Sequence, residues 1–281
     1  MAAAMTSRVA SAQPGTVAPV GTAASSTDDP PGFVTIDRLD ASSRFGIDVS
    51  YIDLDGDATL LRAELAARYV DPATAVGGYV QVPFAFARVS GGDRSETVTD
   101  LGNIEIGGIY APTVDATHLR LVLHAGITLP TAEDGGNEAE VGTIANVARL
   151  SEFLNSLPGA VTLKLGVAPV FRSGVFFARV NLGFERNLDV KNGSIPDVVH
   201  LGAGVGVDLG GSAVMLESAN LLVPDERHDG EVTRQGLTLH ELAVSARWHG
   251  AVSPFAAVIV PLDDDLKLVK VALTAGAEFA F

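Results

Sequence analysis

The C-terminal stretch of the chain alternates between apolar and polar positions. Apolar residues occupy every odd position from Val269 to Phe281, whereas Lys270, Thr274 and Glu278 lie at even positions. A period of two residues gives a β-strand with one apolar and one polar face. Because chain ends are normally polar and frayed, a strand that ends in Phe-Ala-Phe is unusual for a soluble protein. We therefore interpret it as the closing strand of a membrane β-barrel.

Eleven further segments alternate in the same way, which makes twelve in all. Segment 212–220 has the least regular pattern, and segment 252–262 is apolar on both faces. Each run has about the length, roughly 9–11 residues, that a tilted membrane strand needs. The other segments lie near residues 44–51, 61–69, 80–86, 103–110, 119–129, 161–167, 176–184, 199–208 and 241–248.

The links between these segments alternate in length. Five are short, at residues 71–74, 111–117, 172–174, 210–211 and 249–250. The links at 90–100, 130–159, 187–197 and 221–236 are longer and more polar, whereas two outer links, near Asp55 and Asp264, are short. Short periplasmic turns and long outer loops are typical of bacterial outer-membrane barrels, and an even strand number places both termini in the periplasm.

Composition agrees with a membrane barrel. The mean hydropathy is +0.29, but no apolar run reaches the roughly 18 residues of a spanning helix. Lipid cannot satisfy an open sheet edge, so a sheet that spans the membrane must close. The sequence therefore predicts an all-β fold, a closed antiparallel transmembrane β-barrel of about 12 strands over residues 43–281.

Two parts of the chain depart from the strand pattern. Residues 1–12 resemble the end of a truncated signal peptide, with Ala10-Ser11-Ala12 as the cleavage site. Residues 13–42 are predicted to form a disordered periplasmic lead-in. In the longest outer loop, apolar residues between Val141 and Leu157 recur at helical spacing, which predicts one short helix. We expect that helix to pack on the barrel rim, and the alternative is that it folds inward as a plug.

Charge and residue types exclude several functions. The formal net charge of −15 disfavours a nucleic-acid partner. The chain has no cysteine, its six histidines are scattered, and no Gly-x-Ser-x-Gly elbow occurs. Asp53-Leu-Asp-Gly-Asp57 has calcium-like spacing but lacks the distal glutamate of a calcium loop, so we interpret it as an acidic turn. We predict that the chain is not an enzyme and has no catalytic, cofactor-binding or metal site.

One hairpin resembles a known family. Leu101-Gly-Asn-Ile-Glu-Ile-Gly-Gly-Ile-Tyr110, followed by Leu119-Arg-Leu-Val-Leu-His-Ala-Gly-Ile-Thr-Leu-Pro-Thr131, is similar to a hairpin of outer-membrane barrels known as meta-pathway phenol-degradation transporters. The chain departs from that pattern at Asn103, where the family has Asp, and at Ala132, where it has Gly. The resemblance implies a Gram-negative, porin-like transport barrel for small hydrophobic or aromatic compounds.

The predicted inner face carries charged residues of both signs. Opposite charges inside a barrel can form a selective path for solutes or an ion-pair network that fills a narrow lumen. The alternation leaves both possibilities open. The candidates for lining the lumen are Arg62, Glu64, Arg68, Glu105, Arg120, His124, Lys164, Arg179, Glu241, Arg247, Lys270 and Glu278.

Three interpretations follow from this pattern. The first is an outer-membrane channel for small solutes, and the second is a non-conducting structural or surface-interaction barrel. The third is a soluble β-sandwich, whose strands would also alternate. A barrel would contact outer-membrane lipid and lipopolysaccharide. We expect the barrel-assembly machinery to recognise its C-terminal strand at Phe281.

Gel migration separates the membrane interpretations from the soluble one. A membrane barrel should require detergent and migrate differently before and after boiling in SDS, because the closed sheet resists SDS until it is heated. A protein that stays monodisperse in plain buffer, with no heat-dependent shift, would eliminate the barrel.

Overall fold

The computed structural model describes residues 32–36, 38–54, 58–91, 94–115, 118–132, 141–142, 144–146, 149–190, 197–228, 231–234, 236–263 and 269–281. The predicted signal-peptide remnant at 1–12 and the centre of the Asp53–Asp57 turn lie outside these ranges. No helix within them is both long and apolar enough to cross a membrane.

Twelve antiparallel staves form a closed barrel, where a stave is one position in the barrel wall filled by one strand or by two consecutive strands. This confirms the predicted fold class. Closure occurs where β1 pairs with β16, from Arg44 opposite Ala280 to Leu54 opposite Val269. The barrel strands are β1 Arg44–Leu54, β2 Ala58–Val70, β3 Val76–Gly91, β4 Arg94–Leu101, β5 Ile104–Tyr110, β6 Thr113–Asp115, β7 Leu119–Leu129, β8 Ala160–Ser173, β9 Phe176–Val190, β10 Val198–Asp208, β11 Ser212–Val223, β14 Leu237–Trp248, β15 Val252–Pro261 and β16 Val269–Ala280.

Three irregularities reconcile the strand count with the number of staves. β4 and β5 both pair with β3 and form one stave that is interrupted at Gly102–Asn103. β6 is a short addition to β7. β12 (Glu226–His228) and β13 (Glu231–Arg234) form a separate hairpin in the loop between β11 and β14. The longest loop contains a 3-10 helix, Leu150–Ser156, which confirms the short helix predicted there.

The inward and outward positions of the strand residues agree with those predicted from the sequence alternation, except at the start of β16. Outward residues include Leu182, which is 50% exposed, and Val205, which is 55% exposed. In β16, however, Val269 is buried and Lys270 is exposed. The register shifts between Asp53 and Leu54, so that Leu54 faces Val269 while Asp53 faces Val271. Lys270 is therefore the extra residue of a β-bulge, and its predicted inward position is wrong.

Outward aromatic side chains gather at the short-turn end of the barrel. Aromatic residues on the outer wall form girdles at the level of the lipid headgroups in membrane barrels. Together with the apolar outer wall, this belt confirms the predicted outer-membrane barrel. Its members are Phe45, Tyr69, Tyr110, Phe171, Phe176, Trp248 and Phe279, all of them exposed.

An arginine placed on the outer wall tests the assignment of faces. Leu182→Arg, midway along β9, should lower the free energy of unfolding by about 2–4 kcal/mol, because the charge would lie in hydrocarbon. Leu209→Arg is the matched control. Leu209 is 65% exposed at the β10–β11 turn, so that charge should cost only about 0–1 kcal/mol. Urea titration in lipid vesicles measures both, and equal costs would contradict the assignment.

Candidate functional site

Two chain segments outside the strands lie inside the barrel. We call residues 32–36 and 38–42 the N-terminal insert. The loop insert comprises residues 141–142, 144–146 and 149–157. Phe33, Val34 and Ile36 of the first are at most 1% exposed, and Leu150 of the second is fully buried. The expected disordered lead-in is therefore wrong for the described residues 32–36 and 38–42.

The N-terminal insert is held by a carboxylate of the inner wall. The backbone N–H groups of Val34, Thr35 and Ile36 donate to Glu217 on β11, at N–O distances of 3.0, 2.7 and 3.3 Å to Oε2. The Thr35 hydroxyl donates to the same oxygen at 2.9 Å, and the Ser245 hydroxyl donates to Oε1. Because Glu217 is buried, these donors replace the water that its charge would otherwise require.

The N-terminal insert turns back on itself. Asp40 contacts Arg68 near the end of β2, while the ring of Phe33 packs at a tilt against that of Phe177 at the start of β9, with ring centroids 5.5 Å apart. Both contacts lie toward the short-turn end of the barrel. Gly204 allows this approach, since a Cβ there would lie 2.3 Å from a ring carbon of Phe33. The insert therefore enters and leaves the lumen from the short-turn side.

The loop insert crosses the lumen. It connects β7 to β8, yet its 3-10 helix contacts β10, β11 and β14, and the adjacent Arg149 reaches Asp48 on β1. Leu150 and Leu154 belong to one apolar cluster with the inward residues Leu221, Leu239 and Ile259. The expectation that this segment packs on the rim is wrong, and the inward alternative holds. Glu152 interrupts the helical geometry at φ −124° and ψ 16°, so the helical run is shorter than the spacing predicts.

Near the middle of the lumen, the inserts and the wall share a charged cluster. Asp48 on β1 binds Arg38 of the N-terminal insert at 2.8 Å and Arg149 of the loop insert at 2.9 Å. Arg62 and Glu64 on β2 pair at 2.5 Å. Glu152 pairs with Arg62, and Arg38 with Glu64, in further short contacts. Three carboxylates and three guanidinium groups thus balance one another, all at most 7% exposed.

The charges of this cluster favour the ionised forms of Glu152 and Arg38. Burial alone would raise the pKa of Glu152, but Arg62 and Arg149 outweigh it and lower the pKa to about 2. Burial alone would lower the pKa of Arg38, but Glu64 and Asp48 raise it above its ordinary value. Each charge therefore depends on its partners in the other segments.

A second cluster lies toward the short-turn end. Glu278 on β16 accepts from Arg68 at 3.1 Å and from Arg247 at 2.5 Å. Arg68 also donates to Asp40 of the N-terminal insert at 3.0 Å. The guanidinium of Arg247 lies 4.9 Å from the ring centre of Phe255. Through Asp40 and Arg68, this cluster connects the N-terminal insert to Glu278 on β16, the strand that closes the barrel with β1.

A third cluster borders a cavity against β7–β10. Lys164 on β8 contacts Glu105 at 2.8 Å and Glu185 at 3.0 Å. The Tyr79 hydroxyl and the Asn155 amide donate to Glu105, at 2.6 and 3.1 Å. The cavity measures about 50 Å³, counted as the space open to the centre of a water molecule. Ile36 and Ser151 place both inserts on its border.

The structure brings most of the twelve candidates into these clusters. Arg120 and His124 face inward but are half-buried, and Lys270 is exposed on the bulge. Arg179 is buried beside Asn181, and Glu241 is buried close to the backbone of Leu150. Whether these residues line a path for solutes stays a prediction. The other candidates, all buried in the three clusters, are Arg62, Glu64, Arg68, Glu105, Lys164, Arg247 and Glu278.

Several residues of these clusters were not among the sequence candidates. Asp48, Glu185 and Glu217 occupy inward positions of their strands, so the alternation contained the signal for them. Arg38 and Arg149 had no such signal, because they lie outside the alternating segments.

Two solved structures share this fold at low sequence identity. A crystal structure of an outer-membrane channel from Pseudomonas putida F1 has a TM-score of 0.63 and 12% identity, over 90% of this chain and 99% of that chain. The NanC porin has a TM-score of 0.53 and 9% identity, over 84% of this chain and 100% of the other. At these identities the likeness establishes the barrel fold alone.

No family model and no curated protein matches the sequence. The resemblance to meta-pathway transporters therefore stays a prediction.

Glu217→Gln tests the anchoring of the N-terminal insert. The amide keeps the size of the side chain but weakens the acceptor of three backbone N–H groups, which should cost about 1.5–3 kcal/mol of docking. Limited proteolysis of the barrel in detergent should then cut residues 32–42 faster than in the original protein. Asp225→Asn, in an exposed loop, is the control and should change nothing. Equal cleavage of all three proteins would contradict the anchoring role.

Proposed function

We propose that this protein is an outer-membrane channel for small polar solutes, whose lumen is narrowed by its two inserts. The observation that carries the proposal is the cavity of about 50 Å³ between the inserts and the wall of β7–β10. Its lining includes Gln81, Glu105, Lys164 and Asn181, so a polar solute could exchange its water for side-chain contacts there. The similar fold of an outer-membrane channel from Pseudomonas putida F1 supports the proposal.

The class of solute departs from what the family resemblance implies. The cavity is bordered by charged groups of both signs as well as by apolar side chains such as Ile36 and Leu39, so it offers a polar solute contacts that a purely apolar path would lack. We therefore favour polar solutes, with aromatic compounds as the alternative outcome of a transport assay. That the chain is not an enzyme remains part of this proposal, and contacts with lipopolysaccharide and the barrel-assembly machinery remain predictions.

A non-conducting barrel is the second candidate. The observation that favours it is the apolar cluster in which Leu150, Leu154 and Ala145 pack against the inner wall. A lumen sealed in this way would leave the outer loops as the functional surface. Conductance separates the two candidates.

The charged cluster near the middle of the lumen, which contains Glu152, predicts how conductance should depend on pH. The low pKa of Glu152, about 2, means that its ionised form stabilises the docked loop insert. This contribution is complete above the ordinary carboxyl pKa, near 4.5, and is lost as the pH falls toward 2. In planar bilayers, we expect small openings at pH 7 and larger ones as the pH falls below about 4.5.

Glu152→Gln should show the larger openings already at pH 7, because the amide cannot balance Arg62 and Arg149. Asp71→Asn, an equal charge change at the exposed β2–β3 turn, is the control. Folded barrels that show no openings in any variant or at any pH would refute the channel and favour the non-conducting barrel.

A further inference from the structure

The cavity beside β7–β10 is bordered by carboxylates that can hold an ammonium group. The Lys164 ammonium bridges Glu105 and Glu185 at 2.8 and 3.0 Å. Two carboxylates and one ammonium leave one negative charge in this trio. Glu152 also borders the cavity, but Arg62 and Arg149 already balance it. The surplus charge therefore lies at Glu105 and Glu185.

One carboxylate oxygen of Glu185 has no hydrogen-bond donor among the described residues. Glu185 is only 3% exposed and borders the cavity. Oε1 faces Lys164 and His200, whereas Oε2 is buried and accepts no hydrogen bond from the described residues. A buried carboxylate oxygen without a donor is costly, so this atom is suited to a donor that enters the cavity.

His200 lies at the same place. Its Nε2 is 3.1 Å from Glu185 Oε1, and its ring borders the cavity. Glu185 Oε2 is thus a buried acceptor at the cavity, and it selects a guest that donates a hydrogen bond.

We propose that this cavity is a binding site for small organic cations that carry a primary ammonium group. Glu185 Oε2 accepts from the ammonium, and the surplus negative charge of the Lys164 trio balances it. Ile36 and Leu39 of the N-terminal insert border the cavity on its apolar side and face the short hydrocarbon part of the guest. The site deepens the channel function proposed above, because it would select among the solutes that pass.

The size of the cavity limits the guest. A water molecule needs roughly 10–15 Å³ of such space, so about 50 Å³ admits a guest of around four non-hydrogen atoms. Methylammonium fits within this limit and is the probe we choose. Acetate, of similar size and opposite charge, is the matched control ligand.

Binding is measured on the full chain in detergent micelles by saturation-transfer NMR, which does not depend on conductance. We expect methylammonium to bind and acetate to give no signal. Glu185→Gln, which keeps the size of the side chain and can still accept from Lys164, should bind about tenfold more weakly. Glu185→Asp keeps the charge and should be intermediate. Asp71→Asn, outside the lumen, should bind as the original protein does.

The outcomes distinguish this inference from the channel itself. Absent methylammonium binding, equal binding of acetate, or an unchanged affinity in Glu185→Gln would overturn the ammonium site. Heat-dependent gel migration checks that each variant is folded. Should Glu185→Gln fail to fold, the Asp variant and the comparison of methylammonium with acetate still decide. Binding without conductance would refute only the channel.

Discussion

Charged side chains on the inner wall of this barrel are withdrawn from water, so they must gain opposite charges or hydrogen-bond donors as partners. The wall alone does not achieve this at the centre of the lumen. Asp48 and Glu64 have Arg62 beside them, and the inserts supply Arg38 and Arg149. Because loss of one partner from a buried ion pair costs about 3–5 kcal/mol, the wall and the inserts depend on each other.

The apolar part of the interior obeys the same constraint. Inward residues such as Met215, Leu239 and Ile259 would be exposed to water in an open pore. They are buried because Leu150 and Leu154 of the loop insert pack among them. A barrel of eight strands can be filled by its own side chains, and a twelve-stranded one has additional room. Two inserts occupy much of that room, and a cavity of about 50 Å³ lies between their described residues and the wall.

The alternation of apolar and polar residues was sufficient to predict the strands, their number and most inward positions. It failed at Lys270, since a single bulge residue reverses the faces on one side of it. The inserts could not be placed from their own residues, because Arg38 and Arg149 acquire their partners only when the barrel closes. An indirect signal did exist: segment 252–262 is apolar on both faces, and an apolar inner face needs something to cover it.

Cysteine labelling at Ala145 tests most directly whether the loop insert fills the lumen. The chain has no cysteine, so Ala145→Cys introduces a single thiol at a position that is 1% exposed. Val175→Cys, in the β8–β9 turn, places it at a position that is 51% exposed. A maleimide reagent should label Val175→Cys rapidly in the folded barrel and Ala145→Cys only after unfolding. Rapid labelling of both folded variants would contradict a filled lumen and return the loop to the rim.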